Sequence, residues 1–284
     1  MSSKKPYALI LGVSSGFGKA TARKLAENGY NIYGVHMDLG KNRQKAEDFR
    51  DELLELGVDV HFFNKNAADD KNRQGVVDAI VENSKKVEGH QLDVLIHSLA
   101  FGTLKYLVTD HEDSQITKKQ LEMTMDVMAN SLVYWTQDVF KAGLFSNNAR
   151  ILSFTSVGSS KAMLNYGAVS AAKAAIESYT RQLAIELAPH GISANCIFAG
   201  VTNTPAASKI PGFPSMIKLA EIQNPFRRVT TTDDVAALVL AICNPDLLFM
   251  TGEIIRIDGG DAVFEYFDWM EEEEGRPKPP HGQL

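Results

Sequence analysis

Short apolar segments alternate with longer amphipathic segments along almost the whole chain. Most of the short segments lack an alternation of apolar and polar residues, which is typical of strands buried on both faces of a parallel sheet. The predicted strands are Tyr7–Leu11, Asn31–His36, Val58–Phe62, Leu92–His97, Arg150–Phe154, Ser193–Phe198 and Glu253–Ile257. The predicted helices are Gly18–Asn28, Asn42–Leu56, Asp70–Val87, Gln115–Ala142, Tyr166–Ala188 and Asp233–Ile242. This order predicts an α/β fold: a single-domain, Rossmann-like, doubly wound parallel sheet of about seven strands, with helices on both faces.

Composition limits the environment and the partners of the chain. Its 284 residues include 29 Lys and Arg against 35 Asp and Glu, a net charge of -6, which argues against a nucleic-acid partner. We see no signal peptide and no run of ~20 apolar residues, so we expect no membrane partner. Cys196 and Cys243 lie in apolar runs and are predicted to be buried free thiols, which suits a cytoplasmic location.

The ends of the pattern divide the chain into a body and a tail. We predict a catalytic domain over residues 1–260 and an acidic C-terminal tail over residues 261–284. Seven acids and two bases give the tail a net charge of -5, which leaves only -1 for the body. Four aromatic residues predict that the first half of the tail packs on the body or on a neighbouring subunit, whereas residues 271 onward stay solvated: Phe264, Tyr266, Phe267 and Trp269.

A glycine-rich loop joins the first strand to the first helix. It reads Gly12-Val-Ser-Ser-Gly16-Phe-Gly18, a GxxxGxG spacing. Glycines let backbone N–H groups approach a pyrophosphate, and the N-terminus of the following helix adds donors and partial positive charge. The sequence therefore predicts a dinucleotide site formed by Gly12, Ser14, Ser15, Gly16, Phe17 and Gly18.

The end of the second strand bears on the choice of nicotinamide cofactor. His36 lies there, and with Lys41 and Arg43 it could receive the 2′-phosphate of NADPH. Asp38 could instead bind a ribose diol, as in NADH-dependent proteins, and the two bases also fit the solvated start of a helix. This segment favours NADPH, with NADH as the alternative.

Two features of the sequence resemble the short-chain dehydrogenase/reductase family. They are the glycine loop and Asp93, which precedes the apolar core of the fourth strand. Asn165-Tyr166-Gly-Ala-Val-Ser-Ala-Ala-Lys173 narrows the resemblance to the enoyl-acyl-carrier-protein reductase branch, over roughly residues 7–260. Ordinary family members carry YxxxK, which would place the tyrosine at Val169, whereas six residues separate Tyr166 from Lys173. Seven positions are close to two helical turns, so both side chains can share one face, ~10 Å apart. The alternative is a core tyrosine and a surface lysine.

The resemblance implies a catalytic role for Tyr166, Lys173 and Ser156. Tyr166 would stabilise an oxyanion, and Lys173 would reach the nicotinamide ribose and lower the pKa of the phenol. Ser156 stands where many enoyl reductases have an outer tyrosine and where ordinary family members have their catalytic serine. It would either bond the substrate carbonyl or orient Tyr166. With the ordinary glycine loop, this resembles a smaller subgroup of NADPH-using enoyl reductases.

Three further segments extend the resemblance. His97-Ser98-Leu99-Ala100-Phe101-Gly102 would lie along the cofactor, with His97 as a structural hydrogen-bonding residue rather than an acid or base. Ala199-Gly200-Val201-Thr202-Asn203-Thr204 would open a substrate lid over residues 199–231, which holds one short helical candidate. The further implied cofactor contacts are Asn66, Ala67, Ser98, Leu99, Ala100, Lys173, Gly200, Val201, Thr202 and Thr204. The implied substrate contacts are Phe101, Gly102, Tyr166, Phe213 and Met216, and no metal is implied.

The function that the resemblance implies is reduction of the trans-2 double bond of an enoyl thioester with a hydride from NAD(P)H, in fatty acid biosynthesis. The acyl group would be carried by acyl carrier protein or coenzyme A, and the protein would be a homotetramer. One alternative is a short-chain carbonyl or 3-oxoacyl thioester reductase. Met128, at the position of that group's catalytic asparagine, argues against it, and Ser156 argues for it. Another alternative is a non-enzymatic dinucleotide sensor, but such proteins typically lose the tyrosine or the lysine.

Overall fold

A seven-stranded parallel sheet forms the centre of the molecule. We describe a computed structural model, which covers residues 5–264. The strands are β1 (Tyr7–Leu11), β2 (Asn31–His36), β3 (Val60–Asn64), β4 (Leu92–His97), β5 (Phe145–Thr155), β6 (Ser193–Ala199) and β7 (Ile254–Ile257). Their order in the sheet is β3-β2-β1-β4-β5-β6-β7, and every neighbouring pair is parallel. The order runs in both directions away from β1, so the predicted doubly wound sheet is confirmed.

Helices cover both faces of the sheet. They are α1 (Gly16–Glu27), α2 (Lys41–Leu54), α3 (Asp70–Ser84), α4 (Lys118–Met125), α5 (Ser131–Lys141), α6 (Gly167–Leu187), α7 (Phe213–Gln223) and α8 (Thr232–Ile242). Apolar side chains of α3, α5 and α6 pack on one face, and those of α1, α2 and α8 pack on the other. Each fully buried Leu, Ile or Phe side chain stabilises the fold by about 1.5–3 kcal/mol relative to leaving it exposed.

The predicted helix over Gln115–Ala142 is wrong as one continuous element. A capping box of Thr117 and Gln120 begins α4, and the helix then widens into a π-helical turn at Asp126–Asn130 before α5. The Ser131 hydroxyl donates to the Val127 carbonyl at 2.9 Å and stabilises this turn. No proline or glycine marks the place, so the hydrophobic pattern alone could not reveal it.

Several other bounds differ from the sequence predictions. Strand β3 begins two residues later than predicted, and β5 begins at Phe145, five residues earlier. The short helical candidate predicted within residues 199–231 corresponds to α7, which has eleven residues. Within residues 5–264, no helix is long and apolar enough to cross a membrane.

The cysteines and the tail complete the comparison with the sequence. Cys196 and Cys243 are free and buried, as predicted, and burial raises their pKa values to about 11 and about 12. The prediction that the first half of the tail packs on the body falls mainly on Tyr266, Phe267 and Trp269, which lie outside the described residues. Phe264, the last described residue, is partly exposed.

Candidate active site

The residues singled out from the sequence gather at one edge of the sheet. The glycine loop follows β1, His36 ends β2, Ser98 follows β4, Ser156 follows β5 and Gly200 follows β6. In a parallel sheet the carboxyl ends of all strands lie on the same side, and doubly wound folds bind their ligands there. Parallel pairing therefore assembles the candidate site from segments that are far apart in the sequence.

The glycine loop lies tightly against the end of β4. Gly12 has a φ of +86°, and a Cβ added to it would lie 2.4 Å from the carbonyl oxygen of Ser98. A Cβ on Gly18 would lie 2.1 Å from the carbonyl oxygen of Gly12. The amide of Ser98 in turn donates to the Leu11 carbonyl at 2.9 Å. Only glycine fits at these two positions, and the loop is held close to the sheet.

The start of α1 fits a pyrophosphate. Ser15 is its N-cap, but its side chain makes no capping hydrogen bond, so no side chain satisfies the first amides of the helix. A Cβ on Gly16 would lie 3.6 Å from the Cβ of Thr204. The segment after β6 therefore lies against the loop, as the predicted cofactor contact of Thr204 requires. Thr204 Oγ1 accepts from the Ala207 amide at 3.1 Å, which fixes this side chain.

Gly12→Ala should strongly weaken cofactor binding, with Gly29→Ala as the matched control. Both glycines have positive φ, but nothing lies within 4 Å of a Cβ on Gly29. Each alanine costs roughly 1–2 kcal/mol of backbone strain, or about 2–8 °C in Tm. Gly12→Ala also collides with backbone, so we expect affinity for NADPH to fall roughly 100-fold, measured by nicotinamide fluorescence. Equal affinities in the two variants would contradict the assignment of this loop.

At the end of β2, the side chain of His36 is buried rather than open to a ligand. His36 Nδ1 lies 2.9 Å from Asp38 Oδ2. Asn64 fixes Asp38 from both sides, accepting from its amide at 3.0 Å and donating to its carbonyl at 2.9 Å. The Asp38 carboxylate is thus engaged by a neighbour. Arg43 pairs with Glu47 at 2.9 Å, and Lys41 is exposed at the start of α2.

Asn66 and Ala67, the predicted cofactor contacts after β3, are fixed by local hydrogen bonds; the resemblance implies that they line the adenine. Asn66 Oδ1 accepts from the Ala68 amide at 3.0 Å, which shapes the turn. Ala67 is buried, and its carbonyl accepts from Trp135 Nε1 at 2.8 Å. The Asn66 oxygen is therefore already used, and a contact with adenine would fall to its amide nitrogen or to the backbone.

Tyr166 lies buried at the start of α6, where it is the N-cap rather than the first helical residue. Burial raises the pKa of its phenol, and a hydrogen bond with the Ser156 hydroxyl acts in the opposite direction. The phenol is therefore protonated at neutral pH and able to donate. A Cβ on Gly158 would lie 2.5 Å from Tyr166 Cε1, so the ring packs directly on backbone. Asn165, with a φ of 62°, sets the turn that precedes it.

Lys173 is buried in α6, so the alternative of a surface lysine is wrong. Its Nζ donates to the carbonyl of Phe154 at 2.7 Å. Burial lowers its pKa, and the opposing contributions come from Cys196 and Glu177. Both side chains lie at the end of β5: Tyr166 is next to Ser156, and Lys173 donates to Phe154. The spacing of seven residues thus places a phenol and an ammonium beside the same strand end.

His97, at the end of β4, forms a structural hydrogen bond, as expected. Its Nε2 lies 2.8 Å from the hydroxyl of Ser131, which follows the π-helical turn. Burial lowers its pKa to about 3, and the charge of Lys173 adds to that effect. His97 is therefore neutral at working pH and ties β4 to α5.

Val169 occupies the position where an ordinary short-chain reductase has its tyrosine. It is buried in an apolar cluster with Met128 and Tyr166. A Cβ on Gly102 would lie 2.8 Å from Val169 and 2.9 Å from the sulfur of Met128. Neither Val169 nor Met128 can exchange a proton, and the tight packing of Gly102 closes this space. Among the buried members of this cluster in the described part of the chain, Tyr166 is the one that carries a hydroxyl.

The remaining lid and cofactor residues differ in exposure. Phe101 is 56% exposed, whereas Phe213 is buried and Met216 is partly buried. Thr202 is buried, and its hydroxyl donates to the Gly200 carbonyl at 2.9 Å. The other predicted contacts with the cofactor lie in loops at the same edge of the sheet: Leu99, Ala100 and Val201.

Four basic residues lie in or near the predicted lid, where an acidic carrier protein would find a basic patch: Lys209, Lys218, Arg227 and Arg228. Arg228 is engaged: its guanidinium donates to both oxygens of Asp234, at 2.6 and 3.0 Å. Hydrogen bonding and charge from Arg228 lower the pKa of Asp234 to about 2. Lys209 and Lys218 are exposed on the lid and remain available to an acidic partner.

Sequence reasoning missed two residues of the site. Gly158 lies under the ring of Tyr166, and Glu177 accepts from the hydroxyl of Thr155 at 2.6 Å. The i, i+4 spacing of Lys173 and Glu177 could have indicated the second. Across residues 5–264, no group of three or more His, Cys, Asp or Glu side chains is arranged to hold a metal ion.

Comparisons with known proteins agree with this geometry. Solved structures with the same fold include an enoyl-acyl-carrier-protein reductase (NADH) of Aquifex aeolicus, with a TM-score of 0.79 at 24% identity, covering 92% of this chain and 98% of that one. A short-chain dehydrogenase of Burkholderia cenocepacia in complex with NADP gives 0.76 at 24% identity, covering 91% and 98%. Fold and site thus define a short-chain dehydrogenase/reductase.

The family can be stated more closely. The family described as enoyl-(acyl carrier protein) reductase matches residues 12–261, and the chain belongs to this branch of the short-chain dehydrogenases/reductases. The enoyl-acyl-carrier-protein reductase (NADH) of Haemophilus influenzae is 28% identical over 90% of this chain and 93% of its own length. An acetoacetyl-CoA reductase of an Acinetobacter species is 28% identical over 91% and 98%. The chain is therefore an oxidoreductase that uses a nicotinamide dinucleotide.

Proposed function

We propose that this protein reduces the trans-2 double bond of an enoyl thioester in fatty acid biosynthesis. The observation that carries the proposal is the position of the phenol. Tyr166 lies seven residues before the buried Lys173, whereas the alternative position, Val169, is closed in an apolar cluster with Met128. The family match and the Haemophilus influenzae relative support the same reaction.

The chain's own residues account for stabilisation of charge. Bound NAD(P)H supplies a hydride to C3 of the conjugated double bond. Negative charge then develops on the thioester oxygen as an enolate, and the Tyr166 O–H donates a hydrogen bond to it. Such a pre-placed donor is commonly worth ~3–4 kcal/mol of barrier. The Ser156 hydroxyl partly offsets the rise that burial causes in the pKa of the Tyr166 phenol, and it is the group that would orient the phenol. Lys173 holds the ribose and keeps positive charge beside the developing anion, and C2 is then protonated.

NADPH is the proposed cofactor. The Asp38 carboxylate that would repel a 2′-phosphate already pairs with His36. Lys41 is exposed at the start of α2, where its cation and the partial positive charge of the helix N-terminus both favour a phosphate. NADH remains the alternative, since the printed names of the Aquifex and Haemophilus relatives specify NADH.

The second candidate is a 3-oxoacyl thioester reductase. The Acinetobacter relative and Ser156, in the position of the ordinary catalytic serine, favour it. Both candidates take an acyl thioester, on acyl carrier protein or coenzyme A. We also propose a cytoplasmic homotetramer, with α4, α5 and α6 between subunits, a catalytic domain over residues 1–260, and a separate acidic tail.

The test is to incubate the purified chain with the crotonyl thioester of coenzyme A or of acyl carrier protein, and with either NADPH or NADH. We expect butyryl thioester as the product by mass spectrometry, and faster oxidation of NADPH than of NADH. Faster turnover with NADH would overturn the cofactor assignment alone. Absence of the saturated product with both cofactors and with both carriers would overturn the proposed reaction.

A further inference from the structure

Four side chains on one face of α6 form hydrogen bonds with the end of β5 and the turn that follows it. Ser170 donates to the Gly158 carbonyl, and Lys173 donates to the Phe154 carbonyl at 2.7 Å. Glu177 accepts from Thr155 at 2.6 Å, and Thr180 lies 3.1 Å from the Ser153 hydroxyl. The spacings of three and four residues put all four on the same stripe of the helix.

Glu177 differs from the other members of this stripe. It is the only acid among them, and it lies one helical turn from the buried ammonium of Lys173. An ammonium moved out of water carries a large penalty unless opposite charge is nearby. The Thr155 hydroxyl fixes the carboxylate on the inner side of α6, towards the strand whose Phe154 carbonyl accepts from Lys173.

We infer that Glu177 is a positioning residue of the active site: held by Thr155, it keeps Lys173 charged and directed at the cofactor ribose. The inference deepens the proposed function and rests on the ribose role of Lys173. Glu177 acts through Lys173 and touches neither cofactor nor substrate.

The other titratable groups around Lys173 do not supply this negative charge. His97 on β4 has its pKa lowered to about 3 by burial and is neutral. Cys196 on β6 has its pKa raised to about 11, again by burial, so its thiol is protonated at working pH. Tyr166 is a protonated phenol, and Arg181 further along α6 is a cation. Glu177 is thus the anion that opposes the effect of burial on Lys173.

Glu177→Gln is the test, because glutamine is isosteric and keeps an acceptor for Thr155. Binding of NADPH is measured by nicotinamide fluorescence between pH 6.5 and 10, with NADH as a second series. Lys173 loses its proton at lower pH in the variant, so we expect the alkaline loss of affinity to begin earlier. Affinity should fall about tenfold at the alkaline end of the profile and less than twofold at pH 6.5.

Three further variants keep the result interpretable. Glu186→Gln removes the same charge from an exposed position of α6 and should leave the profile unchanged. Thr155→Val frees the Glu177 carboxylate and should shift the alkaline loss of affinity by less than Glu177→Gln does. Thr155→Ser keeps the hydroxyl and should retain the wild-type profile. An unshifted profile in Glu177→Gln, or an equal loss at every pH, would overturn the inference. Because the readout is cofactor binding, failure of enoyl turnover in the wild type leaves this test intact.

Discussion

Tyr166→Phe should lower kcat for enoyl thioester reduction by about 10²–10³-fold while NADPH still binds within about threefold of the wild-type affinity. The substitution removes one O–H and keeps the ring that packs on Gly158. An oxyanion donor acts mainly in the transition state, so its loss appears in kcat rather than in cofactor affinity. Steady-state oxidation of NADPH and a fluorescence titration measure the two quantities.

Tyr179→Phe is the matched control for this substitution. Tyr179 lies on the same helix, and its hydroxyl donates to Asn130 Oδ1 at 2.9 Å. Losing that hydrogen bond should cost about 1 kcal/mol of stability and leave turnover within about twofold. Tyr166→Phe with wild-type turnover would show that another group stabilises the oxyanion.

Lys173→Met should weaken NADPH binding by about 10–100-fold and lower turnover as well. A hydrogen bond from a charged donor is worth about 1.5–3 kcal/mol. The ammonium donates to the Phe154 carbonyl, and in the proposed role it also binds the ribose. Methionine fills the same volume without the charge. Fluorescence titration measures the affinity, and unchanged affinity would contradict the ribose role.

The same variant carries an opposite prediction for the cofactor-free protein. Burial lowers the pKa of Lys173, so the charged form opposes folding. That penalty is complete below the pKa of the folded state and is relieved as pH rises through it. Lys173→Met removes the penalty at pH 7, so we expect its Tm to equal or exceed that of the wild type. A much lower Tm would mean that lost affinity reflects damaged packing.

The positions of the strands could be predicted well from the sequence. β1, β2 and β4 match their predicted bounds because a short apolar run, ended by glycine or polar residues, has few other ways to be buried. The glycine loop and the pair of Tyr166 and Lys173 could be located for a similar reason, since each depends on local spacing. Parallel pairing then brings them to one edge.

Features that depend on neighbouring elements could not be predicted. The π-helical turn at Asp126–Asn130 is stabilised by Ser131, whose partner His97 is 34 residues away. The sequence predicts that His36 contacts the cofactor phosphate. In the structure its side chain is buried, pairs with Asp38 and packs edge-on against Phe62. Arg228, near the predicted lid, is engaged by Asp234 at 2.6 Å. The contacts of His97 with Ser131 and of His36 with Phe62 form only when neighbouring strands and helices pack together.

We propose that the position of Tyr166 selects a carbon–carbon double bond over a ketone. The most direct measurement is kcat/KM for crotonyl-coenzyme A and acetoacetyl-coenzyme A in parallel, following NADPH absorbance with one enzyme preparation. We expect a preference for the crotonyl thioester of at least about 100-fold, roughly the contribution of one well-placed oxyanion donor. A preference for the acetoacetyl thioester would contradict it and assign the protein to the 3-oxoacyl reductases.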